Sequence, residues 1–230
     1  MTIRTVAETR STNDDVAALA AAGEAEGLWV RAERQSGGRG RQGRPWSSPP
    51  GNLYASTLVR LRPGDPPPPS LALAAAVALH DTVSLWAPKA GVRIKWPNDL
   101  LANGAKLAGI LLERAGDAVV IGFGVNLAHH PDDLERPATS IATLAGAAPK
   151  PGPFLEQLVE IFARTLGTWR GSGLRAIRAA WLERAHPLGT PLNTPEGEGL
   201  FEGLDEGGAL RLRLPHGKVR LVHAGDVFLL

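Results

Sequence analysis

The segment Ala32–Trp46 holds the residues whose types most clearly indicate chemistry, because glycines alternate there with arginines. Within Gly37–Arg44 there are four glycines and three arginines. Glycine lets the backbone adopt left-handed conformations and approach a ligand closely. Arginine supplies a fixed charge and a planar set of donors that matches carboxylate and phosphate. The pattern predicts a cationic loop that closes over an anion. A basic surface loop and a nucleic-acid-binding patch are alternatives for the segment taken alone, because short glycine-rich motifs are common.

Two later segments place lysines where an anion could bind. The first, I-K-W-P-N-D-L (Ile94–Leu100), leads from an apolar strand into a turn with three polar side chains, Lys95, Asn98 and Asp99. The second, K-L-A-G-I-L-L-E (Lys106–Glu113), opens an apolar strand with a lysine, and Gly109 leaves room for close approach to that strand. The alternatives are an ordinary Asn-Asp turn and a lysine whose stem lies along apolar surface.

A third segment, I-G-F-G-V-N-L (Ile121–Leu127), has two glycines in a predicted strand. Glycine weakens a strand unless a ligand or another backbone lies against it. The segment therefore predicts a surface on which something rests, and a bulged strand is the alternative.

Composition limits the classes of protein that fit. The chain has 230 residues with 43% hydrophobic content, enough for one larger domain and one small one. It has no cysteine, which excludes disulfides, a thiol nucleophile and thiolate metal sites. No signal peptide is evident, and the longest strongly apolar run, Leu71–Leu79, is too short to cross a bilayer. We expect a cytoplasmic protein with no membrane partner. The net charge of +2 is weak evidence for binding nucleic acid.

The predicted elements describe a mixed α+β domain followed by a small β module. Strands are predicted over Thr2–Thr9, Leu28–Glu33, Gly51–Leu61, Val92–Trp96, Lys106–Glu113 and Ala118–Leu127. Helices are predicted from Ser11 or Thr12 onward and over Ser70–Trp86, Pro153–Arg170 and Leu174–Ala185, and His129–Ala148 is predicted to be a polar loop. Past His186 the chain is rich in turns, and residues alternate in Ala209–Leu214 and Lys218–Val222. This predicts a domain of residues 1–185 and an all-β module of residues 186–230.

These motifs, in this order, resemble biotin protein ligases. The matching stretches are S-T-N (Ser11–Asn13), Q-S-G-G-R-G-R-Q-G-R-P-W (Gln35–Trp46), G-N-L-Y-A-S (Gly51–Ser56), K-W-P-N-D-L (Lys95–Leu100), K-L-A-G-I-L-L-E (Lys106–Glu113), G-F-G-V-N (Gly122–Asn126) and G-L-D-E-G-G-A-L (Gly203–Leu210). The resemblance implies an α+β fold, with a mixed-sheet catalytic domain related to class II aminoacyl-tRNA synthetases and a small C-terminal SH3-like β-barrel.

The resemblance also implies a two-step reaction. Biotin and MgATP give biotinyl-5′-AMP and pyrophosphate, and a lysine of a biotin carboxyl carrier protein then takes the biotin as an amide. The carrier would belong to acetyl-CoA carboxylase or another biotin-dependent carboxylase. The first predicted strand begins within ten residues of Met1. We therefore expect a monofunctional ligase without an N-terminal DNA-binding domain or a DNA partner, either monomeric or a homodimer.

Matching positions imply a role for each motif residue. Lys106, Arg39 and Asp99 would be catalytic, with Lys106 the most important. Asp99 would also serve Mg²⁺ and help deprotonate the acceptor lysine. Biotin would be bound by Ser11, Thr12, Asn13, Gln35, Gly38, Arg39, Lys106, Gly109 and Gly122. ATP and the adenylate would be bound by Arg41, Arg44, Trp46, Lys95, Asn98, Gly124 and Asn126. We expect the loop Ala32–Trp46 to be mobile without ligand and ordered with biotinyl-AMP, because the mixed anhydride needs protection from water.

Two rival functions stay open on the sequence. A lipoate–protein ligase shares the fold, although K-W-P-N-D favours biotin. A non-catalytic nucleic-acid-binding module would use the arginine loop and the small β module. The chain has a near-neutral net charge and a single tyrosine with few other aromatics, which disfavours that module.

Overall fold

The structure, a computed structural model, describes residues 1–132 and 136–230, so residues 133–135 of the predicted loop His129–Ala148 lie outside the described part. The strands are β1 (Thr2–Thr9), β2 (Leu28–Gln35), β3 (Leu53–Arg60), β4 (Arg93–Lys95), β5 (Asp99–Ala102), β6 (Ala105–Ala115), β7 (Ala118–Val125), β8 (Pro191–Thr194), β9 (Gly197–Leu204), β10 (Leu210–Arg213), β11 (Val219–Val222) and β12 (Phe228–Leu229). The α-helices are α1 (Thr12–Ala21), α2 (Leu71–Trp86), α3 (Ile141–Ala145), α4 (Pro151–Gly171) and α5 (Gly173–Arg184). The short helix α3 was not predicted, because it lies within the segment His129–Ala148 that was interpreted as a loop.

The larger sheet is mixed, as the short connections between predicted strands indicated. Its strand order is β1-β2-β3-β7-β6-β5-β4. The first two strands are parallel, and the other neighbours pair antiparallel. The sequence did not predict β5, because W-P-N-D was interpreted only as a turn. In the structure a cis peptide precedes Pro97, the chain reverses, and Asp99 opens β5 opposite Lys95 of β4.

Helices cover the two faces of this sheet unequally. Helices α2, α4 and α5 pack together on one face over the main core. Because other elements surround α2, ten of its 16 residues are buried, and most of these are apolar. An aromatic cluster of Trp29, Phe123 and Phe162 fills that core, with ring centroids 5.5 to 5.9 Å apart. Helix α1 packs on the opposite face against a smaller core and leaves part of the sheet uncovered.

The C-terminal strands form a separate antiparallel sheet, ordered β11-β10-β9-β8-β12. This confirms the small all-β module. It packs against α5 through Trp181 and Phe201, whose ring centroids are 6.3 Å apart. The indole of Trp96, in the larger domain, donates a hydrogen bond to the Gly208 carbonyl at 3.1 Å. The α+β fold class is confirmed. The SH3-like closure and the boundary between residues 185 and 186 stay predictions.

Within residues 1–132 and 136–230, no helix has both the length and the apolar character needed to span a bilayer.

Candidate active site

A cleft of about 480 Å³ opens on the sheet face that α1 leaves uncovered. The start of α1, the end of β2, the following loop, β3, the β5 start, β6, β7 and the C-terminal sheet all contribute to its walls. Most of the predicted site residues line it: Ser11, Thr12, Asn13, Gln35, Arg39, Arg41, Arg44, Trp46, Asn98, Asp99, Lys106, Gly109, Gly122 and Gly124. The fold thus brings together residues that are far apart in the sequence.

One end of the cleft is a network of buried polar side chains at the start of α1. Gln35 accepts hydrogen bonds at its Oε1 from the Thr12 amide at 2.9 Å and the Thr12 hydroxyl at 3.2 Å. The Thr12 hydroxyl also lies 2.7 Å from the Ser56 hydroxyl, which donates to Asn13 Oδ1 at 2.6 Å. Because these groups hold one another, the polar end of the cleft is fixed before any ligand arrives.

Glycines make the floor of the cleft flat. Gly109 of β6 and Gly124 of β7 are cross-strand partners, and the Trp46 ring lies against both. A Cβ at Gly124 would lie 2.7 Å from Trp46 Cε2, and one at Gly109 would lie 3.3 Å from Trp46 Cζ3. At Gly122 the neighbour is different, since a Cβ would lie 2.2 Å from Asn13 Oδ1. Side chains of this protein therefore rest on the glycines that the sequence singled out.

Asp99 links two lysines at the edge of the floor. Its Oδ1 lies 2.7 Å from Lys106 Nζ, and its Oδ2 lies 3.3 Å from Lys95 Nζ. The Lys106 ammonium also lies 5.5 Å from the Trp46 ring centroid, within the range of a cation–π contact. Burial lowers the pKa of Lys95, although the charge of Asp99 opposes that shift. Lys106 is the more exposed of the two ammoniums and faces the cleft.

Arg39 is held by two carboxylates of the protein. Its Nη2 lies 2.7 Å from Asp14 Oδ1, and its guanidinium contacts Glu113 at 3.0 to 3.2 Å through both Nε and Nη2. Glu113 also accepts a hydrogen bond from Asn13 at 2.7 Å. The hydrogen bond from Arg39 lowers the pKa of Asp14, and the same contact raises the pKa of Arg39. Arg39 thus fastens the start of the loop to α1 and β6.

The other two loop arginines contact the turn between β11 and β12 of the C-terminal module. Arg41 donates a hydrogen bond to the Gly225 carbonyl at 3.1 Å, and its Nη1 lies 3.9 Å from Asp226 Oδ1. Arg44 forms an ion pair with Asp226 Oδ2. Between these two arginines the chain makes a short 3₁₀ turn, Arg41–Gly43. The loop therefore spans the mouth of the cleft from the larger domain to the C-terminal module.

Three predicted site residues do not line the cleft: Gly38, Lys95 and Asn126. A Cβ at Gly38 would lie 2.6 Å from the Ser48 hydroxyl and 2.8 Å from the Trp46 carbonyl, so this glycine lets the loop pack on itself. The Asn126 amide donates to the Thr139 carbonyl at 3.0 Å. Asn98 does line the cleft, but its amide donates to the Ile110 carbonyl at 2.6 Å and so fastens β6.

Sequence reasoning assigned no role to several residues of the site, namely Asp14, Tyr54, Ser56, Glu113, Arg136 and Asp226. The sequence could have indicated two of them, because Ser56 ends the motif G-N-L-Y-A-S and Glu113 ends the motif K-L-A-G-I-L-L-E. Arg136 lies over the Phe228 ring, 3.6 Å from its centroid. No sequence pattern marked Arg136 or Asp226, and Asp226 reaches the cleft through the packing of the C-terminal module.

The described residues do not gather three or more metal-ligating side chains at one place. Of the described residues, two carboxylates line the cleft, Asp99 and Asp226, and both contact cationic side chains. Mg²⁺ is commonly bound through substrate phosphates with few protein ligands. A role of Asp99 toward the magnesium ion of MgATP stays a prediction.

Comparisons with known proteins agree with this geometry. The model of the biotin/lipoate A/B protein ligase family matches residues 6–126, and the model of the biotin protein ligase C-terminal domain matches residues 192–230. A biotin–[acetyl-CoA-carboxylase] ligase from Paracoccus denitrificans is 42% identical, over 97% of this chain and 98% of the relative. The chain belongs to the biotin protein ligase family.

Solved structures of biotin protein ligases share the fold. The Aquifex aeolicus enzyme in complex with biotin and ATP superposes with a TM-score of 0.89 at 23% identity, over 99% of both chains. The Leishmania major enzyme in complex with biotinyl-5-AMP superposes with a TM-score of 0.72 at 26% identity, over 96% of this chain and 98% of that one. Both likenesses include the C-terminal module, so the combination of the two sheets is shared within the family.

Proposed function

We propose that this protein is a biotin protein ligase that activates biotin with MgATP and transfers it to a lysine of a biotin carboxyl carrier protein. The observation that carries the proposal is the single cleft in which a flat glycine floor, an exposed lysine and an arginine loop meet. Membership of the biotin protein ligase family supports the same reaction.

The first step needs no nucleophile from the protein. An oxygen of the biotin carboxylate attacks the α-phosphorus of ATP, a C–O–P bond forms, and pyrophosphate leaves with the bonding electrons. Both reactants are anions, so the site must reduce their repulsion and hold them in line. Lys106 would bridge the carboxylate and the α-phosphate, because its ammonium faces the cleft beside the glycine floor. Asp99 and Trp46 would keep that ammonium in place.

The floor and the polar end suit the two halves of the intermediate. Gly109 and Gly124 leave room for a planar ring on the sheet, a place that the Trp46 ring takes in this structure. The hydrogen-bonded residues Thr12 and Gln35 would recognise the polar ureido ring of biotin at the start of α1. Arg41 and Arg44 would contact the phosphates of the nucleotide. We propose that Arg39 acts mainly by fastening the loop, because two carboxylates already occupy it.

In the second step the neutral amine of the acceptor lysine attacks the biotinyl carbonyl and AMP leaves. Biotin is thereby joined to the carrier by an amide bond. The named activity of the Paracoccus denitrificans relative supports the carrier of acetyl-CoA carboxylase as the acceptor. We also propose residues 1–185 as the catalytic domain and residues 186–230 as the second domain. A cytoplasmic location, the lack of a DNA partner and a monomeric or dimeric state stay predictions.

Exchange of labelled pyrophosphate into ATP tests the first step. We expect exchange that depends on biotin and not on lipoate. In Lys106→Ala it should fall by about 100- to 1,000-fold, the usual effect of losing one charged donor to a developing phosphoryl charge. Lys89→Ala is the matched control, since Lys89 is exposed after α2, outside the cleft, and should exchange normally. Exchange with lipoate alone would favour the lipoate–protein ligase, and no exchange with either acid would contradict the proposal.

A further inference from the structure

The arginine loop is joined to the C-terminal module at one turn, through the Gly225 carbonyl and the Asp226 carboxylate. Both loop arginines that we assign to nucleotide phosphates, Arg41 and Arg44, contact this turn of the module. These contacts join residues more than 180 positions apart in the sequence. The phosphate-binding end of the cleft is thus closed by a residue of the second module.

The turn that carries Asp226 packs closely against neighbouring residues. Gly225 has φ of +123°, a conformation that favours glycine, and a Cβ there would lie 2.7 Å from Pro195 Cγ. Beyond the turn, Phe228 lies under the guanidinium of Arg136 at 3.6 Å. The backbone around the carboxylate is therefore fixed by packing, and the loop arginines are the longer and more adaptable partners.

The charge around Asp226 is strongly unbalanced. Among the described residues, five cationic side chains and two carboxylates, Asp99 and Asp226, line the cleft. Arg39 is neutralised from outside the cleft by Asp14 and Glu113. Asp226 is therefore the main anion available to Arg41 and Arg44 among the residues that line the cleft.

A polyphosphate would compete with this carboxylate. Arg44 is half exposed, so its ion pair with Asp226 is screened by water and weak. A phosphate carries more charge and more acceptor oxygens than a carboxylate, and arginine pairs with it in the same planar geometry. The ion pair is therefore weak enough for a polyphosphate to replace Asp226 as the partner of Arg44.

We propose that Asp226 is an internal counter-anion that holds Arg41 and Arg44 in the ligand-free protein and gives them up to the polyphosphate of ATP. Asp226 is then a positioning residue: it orders the loop before nucleotide binds, and it sets how tightly the β- and γ-phosphates bind. The inference rests on the proposed function for the identity of the polyphosphate. The contacts of Asp226 with Arg41 and Arg44 are present in the structure whatever the function of the protein is.

The experiment measures cleavage of the loop by subtilisin in ligand-free protein, then its protection by inorganic pyrophosphate. We expect Asp226→Asn to be cleaved within residues 37–46 several-fold faster than the unchanged protein, because the loop has lost its anchor. Half-protection should need several-fold less pyrophosphate, because the internal competitor is gone. If Asp226→Asn is cleaved at the same rate as the unchanged protein, the proposal is overturned. It is also overturned if half-protection of Asp226→Asn needs more pyrophosphate than that of the unchanged protein.

Two further variants separate this role from a general loss of structure. Glu202→Gln removes a carboxylate that pairs with Arg211 and Arg213 elsewhere on the same module, and it should behave like the unchanged protein. Arg44→Gln leaves the C-terminal module intact and should also be cleaved faster, but it should need more pyrophosphate for protection. If Arg44→Gln is cleaved at the unchanged rate, the ion pair does not anchor the loop and the proposal fails. None of these readouts uses biotin or ATP turnover, so failure of the proposed function would be seen separately.

Discussion

At the scale of single residues, the site depends on glycines that leave space for side chains from other parts of the protein. Gly122 makes room for Asn13 at the start of α1, whereas Gly124 makes room for the Trp46 ring. The two glycines are two positions apart on β7 and therefore face the same side of the sheet. One serves the packing of a helix, and the other serves the closing loop.

This difference predicts different consequences for the two alanine variants. Gly122→Ala forces Asn13 away from Ser56 and Glu113, so the free energy of unfolding should fall by about 1–3 kcal/mol. Gly124→Ala pushes against a ring on a movable loop, so it should change stability less and weaken biotinyl-AMP binding more. Urea unfolding and binding titrations measure both effects. Gly167→Ala is the control: it lies within α4 with open space around it, and it should stabilise the protein by about 0.5–1 kcal/mol. Equal loss of stability in the Gly122 and Gly124 variants would contradict the distinction.

Asp99 allows a second residue-level prediction, because both of its carboxylate oxygens face lysines. Asp99→Asn keeps the shape but removes the charge that holds the Lys106 ammonium. We expect biotinyl-AMP synthesis to fall roughly 10- to 100-fold, corresponding to about 1.5–3 kcal/mol for hydrogen bonds between charged groups. Transfer from preformed biotinyl-AMP to the carrier should fall much less. A comparable loss in the transfer step would instead support Asp99 as the group that deprotonates the acceptor lysine.

The residue types of the site could be predicted from the sequence, but their partners could not. Lys106, the glycines and the loop arginines stand out because their spacing is unusual for strands and loops. Arg39 shows the limit, since Glu113 lies 74 positions away and Asp14 lies 25 positions away. Sequence spacing does not show which carboxylates a distant guanidinium will meet.

At the scale of elements, strands with clear β-branched or apolar patterns were predicted within a few residues of their bounds. The four-residue strand β5 was missed because its first residue, Asp99, belongs to a turn motif. Its pairing with β4 and β6 supplies the strand character that its own composition lacks. Tertiary pairing outweighed local propensity there, as is usual for short strands.

Glu26 ties several elements together and makes stability depend on pH. It accepts hydrogen bonds from Arg170 near the end of α4 at 2.7 and 2.9 Å, and from the Arg60 amide at the end of β3. Burial disfavours its ionised form and is the largest single influence, but the contacts with Arg170, Arg60 and Arg62 together outweigh it and lower the pKa of Glu26. Because the folded state binds the proton less readily than the unfolded chain, this stabilisation is present above the unfolded pKa of about 4.3. It is lost as the pH falls below that value.

We expect Glu26→Gln to lower the free energy of unfolding at pH 7 by about 1–3 kcal/mol. The difference from the unchanged protein should shrink as the pH falls from about 5 toward 3, because protonated Glu26 resembles glutamine. Urea unfolding at several pH values measures this. Glu24→Gln, which removes only a partly exposed ion pair with Arg4, should change stability by no more than about 1 kcal/mol. If the difference in unfolding free energy between Glu26→Gln and the unchanged protein does not vary with pH, the charge of Glu26 does not contribute to stability.

At the scale of the whole molecule, the cleft is completed only when the C-terminal module docks on the larger domain. The module supplies Asp226 to the loop, and its position is set by contacts far from the cleft, such as Trp181 against Phe201. A module of about 45 residues buries too little surface to be very stable alone. We therefore expect the two parts to unfold together, with the apolar contact between α5 and β9 as a main source of coupling.

Trp181 tests this coupling, because it is 1% exposed and its ring lies in the contact between α5 and β9. Trp181→Ala should lower the free energy of unfolding by about 3–5 kcal/mol, as for other large buried aromatics. Its indole N–H has no hydrogen-bond partner among the described residues, so Trp181→Phe removes an unpaired polar group and should cost much less. Urea unfolding followed by far-ultraviolet circular dichroism and by tryptophan fluorescence should give one shared transition for each protein. Two separate transitions in Trp181→Ala, with the larger domain as stable as before, would show that the C-terminal module folds independently and only rests against the site.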